Sequence, residues 1–184
     1  MRKLEERLQK HIDLLVERYP ALKSIEQSII DAYLVMEECY ENGGKLLIAG
    51  NGGSAADSEH IAGECSLMAI PLVAHEALTT AYINDVDGLG VFAQQLFGFG
   101  KEGDVFLGIS TSGNSKNVLP ATVVARALGI KVIGLTGAKG GELAEVADVA
   151  VKAPETETYM VQELHLPIYH CWCLMLEDKF FGKN

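Results

Sequence analysis

A chain of 184 residues, 48% of them hydrophobic and carrying a net charge of −10, is long enough to bury one substantial core. Its fifteen Lys and Arg are scattered, which excludes the basic face of a nucleic-acid binder. No apolar stretch reaches the ~20 residues of a membrane span, and the start Met1-Arg2-Lys3-Leu4-Glu5-Glu6-Arg7 is unlike a signal peptide.

Leu4, Leu8, Ile12 and Leu15 recur at helical spacing before Pro20, and Leu22, Ile25, Ile29, Ile30, Leu34 and Met36 do so before Asn42-Gly43-Gly44 stops the helix. These helices form an N-terminal arm over residues 1–43. They precede every strand, so their stripes pack either on the chain's own sheet or against a partner's helices. From residue 44 to 184 the pattern changes to short apolar runs alternating with helices. Strands are predicted at Lys45–Ala49, Val105–Ser110, Lys131–Thr136 and Val149–Val151, with a shorter fifth at Leu72–Ala74. Helices are predicted from Ser54 to about Met68, and over Val91–Phe97, Asn117–Leu128, Leu143–Val146 and Thr158–Phe180. Strands apolar on both faces and joined through helices imply one α/β domain with a doubly wound parallel sheet. Cys39, Cys65, Cys171 and Cys173 lack the spacing of a structural zinc site and read as reduced thiols in a cytoplasmic protein.

Two strands end in small, polar turns that open toward helices. Leu46-Leu47-Ile48-Ala49-Gly50 runs into Asn51-Gly52-Gly53-Ser54, and Val105-Phe106-Leu107-Gly108-Ile109 into Ser110-Thr111-Ser112-Gly113-Asn114-Ser115. Free N–H groups at such junctions suit a phosphate. The hydroxyls of Ser110, Thr111, Ser112 and Ser115 make the second turn the better cradle, where simple N-capping would account for one of them. It lacks the Walker lysine, and the first turn lacks GxGxxG spacing, so nicotinamide chemistry is not expected. On the helix after the first turn, His60 and Glu64 share a face, and their small neighbours suggest that this face is covered. The last helix carries Gln162, Glu163, His165 and His170 in apolar surroundings, with Pro167 inside it. Gln162 and His170 project from nearly the same side. Periodicity does not say whether they meet His60 and Glu64, and a histidine on an apolar helix is more often a core residue than a ligand.

The string from Gly50 to Glu64 closely resembles the start of the phosphoheptose isomerases, which are sugar isomerase (SIS) domain enzymes. Asn84-Asp85, the run from Gly108 to Asn117, Val132 to Gly137, and Gln162-Glu163-Leu164-His165 followed by His170 match in the same order. The resemblance covers nearly the whole chain and implies the SIS fold, a flavodoxin-like or Rossmann-like arrangement. It implies interconversion of sedoheptulose 7-phosphate and D-glycero-D-manno-heptose 7-phosphate through an enediol, the first step toward ADP- and GDP-heptose precursors. Ser110, Thr111, Ser112 and Ser115 would then hold the phosphate. Asn51, Gly52, Gly53, Ser54, Asn84, Asp85, Glu64 and Gln162 would bind the sugar, and His60, Glu64, Gln162 and His170 would ligate one zinc per subunit. The family is similarly a homotetramer with sites between subunits, its N-terminal helices packed in a central bundle.

Such an isomerisation needs a base at one carbon and an acid/base at the next, roles for Glu64 and His170 if burial brings them near neutrality. The chain departs from the family after Glu64. Cys65-Ser66-Leu67-Met68-Ala69-Ile70-Pro71 replaces a longer stretch containing an arginine, where the substrate's distal end or a neighbouring subunit would sit. Two other readings stay open: an isomerase of a hexose or pentose phosphate, and a non-catalytic SIS regulator that binds a phosphosugar or a protein. The presence of both Glu64 and His170 argues against the second.

Overall fold

A computed structural model describes residues 2–182. Five strands form an all-parallel sheet: β1 (Leu46–Ala49), β2 (Ala69–Pro71), β3 (Val105–Ser110), β4 (Lys131–Gly137) and β5 (Val149–Ala153), in the order β2-β1-β3-β4-β5. Helices α1 (Gln9–Arg18), α2 (Glu26–Glu41), α3 (Gly53–Glu64) and α8 (Thr158–Phe181) cover one face; α5 (Val91–Phe99), α6 (Val118–Ala127) and α7 (Gly141–Val146) cover the other. The alternation of a strand supplies both cores. Leu46 and Ile48 enter the first while Leu47 and Ala49 enter the second. All six residues of β3 are buried, as a strand covered on both faces requires.

The strand order reverses between β1 and β3, so the crevice beyond their carboxyl ends is where a doubly wound sheet binds its ligand. Both small polar turns of the sequence lie there. At the opposite end, the buried Asp104 carboxylate ties the strand starts together. It pairs with Lys45 Nζ at 2.6 Å and accepts the backbone N–H groups of Lys45 and Lys101.

The N-terminal helices pack on their own chain. Leu8, Ile12, Leu15, Leu22, Ile29 and Met36 are buried in the first core, and Trp172 of α8 donates to the carbonyl of Ile29 at 3.0 Å. A C-terminal hydrogen-bond pair closes α2, from Gly44 N–H to Cys39 and from Gly43 N–H to Tyr40. Ion pairs clip the arm to the end of α8. Asp178 meets Arg7, Lys10 and His11 at 3.2, 2.7 and 2.9 Å, and Lys179 meets Glu37 and Glu41 at 3.2 and 3.1 Å.

Two predicted elements shift and one helix goes unpredicted. The helix after the first turn stops at Glu64 rather than near Met68, because Cys65 turns extended and inward. The edge strand is Ala69–Pro71, not Leu72–Ala74; Leu72 follows it with one N–H bond to Ile48 at 2.8 Å. Pro71 is tolerated there because β2 pairs with β1 alone. Helix α4 (Glu76–Asp85) has no predicted counterpart. None of its residues is fully buried, and partly buried Tyr82 on the second core belongs to a stripe too short for periodicity to single out.

Candidate active site

At the crevice the two turns are joined directly. The Asn51 and Asn117 amides exchange hydrogen bonds of 2.9 and 2.8 Å. In the second turn Ser110 Oγ lies 2.8 Å from Ser115 Oγ, and Ser112 Oγ accepts the Asn114 N–H at 3.1 Å. Helix α6 begins at Val118 with no side-chain cap. The hydroxyls therefore line a loop before the helix rather than its first turn, and the capping alternative does not describe them. Gly113 anchors that loop with φ +70. Its carbonyl accepts the Leu143 N–H at 2.9 Å, and a Cβ would fall 1.7 Å from the Gly140 carbonyl oxygen. Thr111 and Ser115 are half-buried, Ser112 is exposed, and Ser110 and Ser54 are buried.

Helices α3 and α8 run side by side in the same direction. Near their starts Gln162 leans on Gly53, whose added Cβ would lie 2.3 Å from Gln162 Nε2. Two turns on, His170 faces His60 with Nε2 atoms 3.5 Å apart and rings nearly perpendicular at 79°. His60 Nε2 is also 3.5 Å from Glu64 Oε1. At the far end Cys65 meets Cys173, whose hydrogen bond holds the Cys65 thiol below its ordinary range, and the Tyr40 hydroxyl at 3.5 Å. The residue after Glu64 thus faces the core, not the crevice. Pro167 sits within the continuous α8; the carbonyl it leaves unmatched belongs to Glu163, which is exposed and open to water.

Two ligands of one tetrahedral zinc, each at about 2.1 Å, stand roughly 3.4 Å apart. Both separations at His60 Nε2 fit that spacing, and imidazole and carboxylate are suitable zinc donors. The three groups meet pairwise through His60. No closed group of three His, Cys, Asp or Glu is assembled among the described residues, and Gln162 stands nearer the start of α3.

The predicted covered face is not formed within one chain. The side chains of His60 and Glu64 are 42% and 54% exposed, beside the exposed Ala56 and Gly63. Asn84 and Asp85 lie exposed at the end of α4, hydrogen-bonded to each other at 2.6 Å. Other residues of α4, Thr79 and Ile83, share a cavity with Asn51, Gly52 and Asn117.

Two residues beside the cluster are not singled out from the sequence. The Tyr169 hydroxyl donates to Asp57 Oδ1 at 3.1 Å and lies 3.2 Å from His60 Nδ1. Burial raises the Asp57 carboxyl above its usual range, opposed by the Tyr169 hydrogen bond. Asp57 is one helical turn before His60, which spacing could have flagged. Tyr169 could not be found, since periodicity does not say which helix α8 faces.

The SIS domain profile matches residues 14–137. The phosphoheptose isomerase of Aneurinibacillus thermoaerophilus is 43% identical over 172 residues, covering 89% of this chain and 85% of that protein. Among solved structures, the phosphoheptose isomerase of Neisseria gonorrhoeae superposes with a TM-score of 0.83 at 37% identity, covering 95% of this chain and 99% of that one. That of Francisella tularensis gives 0.84 at 33% identity, covering 97% and 100%. With this fold, this order of turns and this extent of likeness, the chain belongs to the phosphoheptose isomerase family of SIS-domain proteins.

Proposed function

We propose that this protein interconverts sedoheptulose 7-phosphate and D-glycero-D-manno-heptose 7-phosphate. The observation that carries the reading is the meeting of His60, Glu64 and His170 beside the crevice that holds the hydroxyl-lined turn. Ser110, Thr111, Ser112 and Ser115 take the phosphate, with loop N–H groups supplying further donors. Asn51, Gly52, Gly53, Ser54, Asn84, Asp85 and Gln162 serve the sugar chain. Glu64 removes the proton from one carbon and His170 serves the neighbouring one, a division that suits a carboxylate and an imidazole on facing helices. His60, Glu64 and His170, with Gln162 moving in, would hold zinc, which when bound polarises the substrate carbonyl as a Lewis acid.

The active assembly in this reading is a homotetramer in the cytoplasm. No residue of helix α4 is fully buried within the chain. Leu14, Leu166 and Leu174 stay 51%, 39% and 50% exposed around the groove beside His170. Both are surfaces that neighbouring subunits would cover, and with them the open side of His60 and Glu64. Four free, buried cysteines suit a reducing compartment. Light scattering on the purified chain checks the assembly; a monomer at working concentration would refute it.

The test of activity is an assay with sedoheptulose 7-phosphate, with and without added zinc. The parent should turn over, while Glu64→Gln and His170→Gln should each lose orders of magnitude in kcat and still bind substrate. A parent inactive under both conditions sinks the isomerase reading. Ser110→Ala with Ser112→Ala should weaken substrate binding by about 1–3 kcal/mol, as lost charge-assisted hydrogen bonds do.

A further inference from the structure

A phenol has one proton to give, and around Tyr169 that fixes a neighbour. Tyr169 is buried on α8, one residue before His170. Its ring stands edge-on to both His60 and His170, with centroids 5.5 and 5.1 Å away. Its hydroxyl reaches Asp57 Oδ1 at 3.1 Å and His60 Nδ1 at 3.2 Å. Asp57 Oδ2 is buried without a partner among the described residues. If the phenol gave its proton to His60 instead, the Asp57 carboxylate would be left with no donor at either oxygen. A buried carboxylate in that state is costly. The proton therefore goes to Asp57, and the phenol oxygen meets His60 as an acceptor. His60 Nδ1 must then carry hydrogen. The neutral ring keeps its lone pair at Nε2, the atom that faces Glu64 and His170 at 3.5 Å each.

We propose that Asp57 and Tyr169 are positioning residues that set the tautomer and ring orientation of His60, presenting its Nε2 lone pair to the centre shared with Glu64 and His170. The inference rests on reading that centre as the reactive one. Neither residue touches the reacting atoms; both act through His60. Partners of this kind behind an imidazole typically change affinity or activity 10–100-fold when removed.

The test uses the full-length chain with 15N-labelled histidine, in chelator, at about pH 8.5, well above the ordinary imidazole value of about 6.5. His60→Gln assigns the His60 resonances by their disappearance. In the parent, His60 should show the Nδ1–H pattern. In Tyr169→Phe, which keeps the ring and its packing, His60 should shift toward Nε2–H. With sedoheptulose 7-phosphate, Tyr169→Phe should lower kcat tenfold or more with KM within about twofold, and the Asp57→Ala/Tyr169→Phe double variant should fall no further than the worse single change. An Nε2–H pattern in the parent, as a protonated Asp57 would produce, overturns the proposal. So does an unchanged tautomer in Tyr169→Phe, and so does a shifted tautomer with unaltered kcat. The spectral arm needs no turnover, so an inactive parent would remove the isomerase reading while the tautomer still decides this one.

Discussion

Two histidines five positions apart on α8 are of opposite character. His165 is fully buried, donates from Nε2 to the Thr136 carbonyl at 3.1 Å, and has no partner at Nδ1 among the described residues. Burial lowers its pKa from 6.5 to about 4, so it stays neutral where an unfolded chain would take up a proton. Between those values the unfolded state binds more protons, and stability falls as pH falls. The loss attributable to His165 is on the order of 3 kcal/mol between pH 6.5 and 4. His165→Gln, which keeps a donor for Thr136, should flatten that part of the profile; urea midpoints at pH 7 and about 4.5 measure it. An equally steep variant would place the acid sensitivity elsewhere. In sequence the two histidines look alike. Both sit among apolar residues, and only the match to a family pattern separated His170 from its core neighbour.

At the scale of elements, what could be read from the chain depended on burial. Strands β1, β3 and β4 announce themselves because a strand covered on both faces is a continuous apolar run, and the edge strand β5 shows as a short valine and alanine run. Helix α4 buries no residue fully and leaves a weak trace, and the short edge strand β2 lies three residues before its expected place. The pairing of α3 with α8 is a long-range fact that no local spacing contains. Its tightest point is Gly53 against Gln162. A methyl in Gly53→Ala would occupy the position of the Gln162 amide, and the flexible side chain would yield before the backbone. The expected result is an intact fold by circular dichroism with phosphosugar binding weakened about tenfold, ~1.4 kcal/mol, as read by calorimetry. Unchanged binding would remove Gln162 from the sugar site.

For the molecule as a whole, the N-terminal arm is held by charge as well as by apolar burial. Hydrogen bonds from Lys10 and then His11 hold the Asp178 carboxyl at about 2, below its ordinary 3.8. Its contribution is therefore present above about pH 4 and is lost as pH falls toward 2. Asp178→Asn should be less stable than the parent at neutral pH and should lose less than the parent does across that acid window. Urea midpoints at pH 7 and about 3 provide the check, and the neutral-pH difference should shrink in high salt, since these pairs lie near solvent. Identical profiles would mean that the arm is held by its leucines and isoleucines alone.

The side-by-side course of α3 and α8 also works as a shared phase. Gly53 faces Gln162, His60 faces His170, and Cys65 meets Cys173, so the two helices stay in contact from end to end of α3. Deleting one residue between Gly53 and His60 would rotate everything after it by about 100° about the helix axis. His60 and Glu64 would turn away from His170 together. The short connection from Ser66 to Met68 lies beyond the last of these meetings and leaves the phase untouched. Length can vary there, at the strand-start end of the sheet where the Met68 carbonyl accepts the Leu46 N–H, while the imidazoles and the carboxylate keep time.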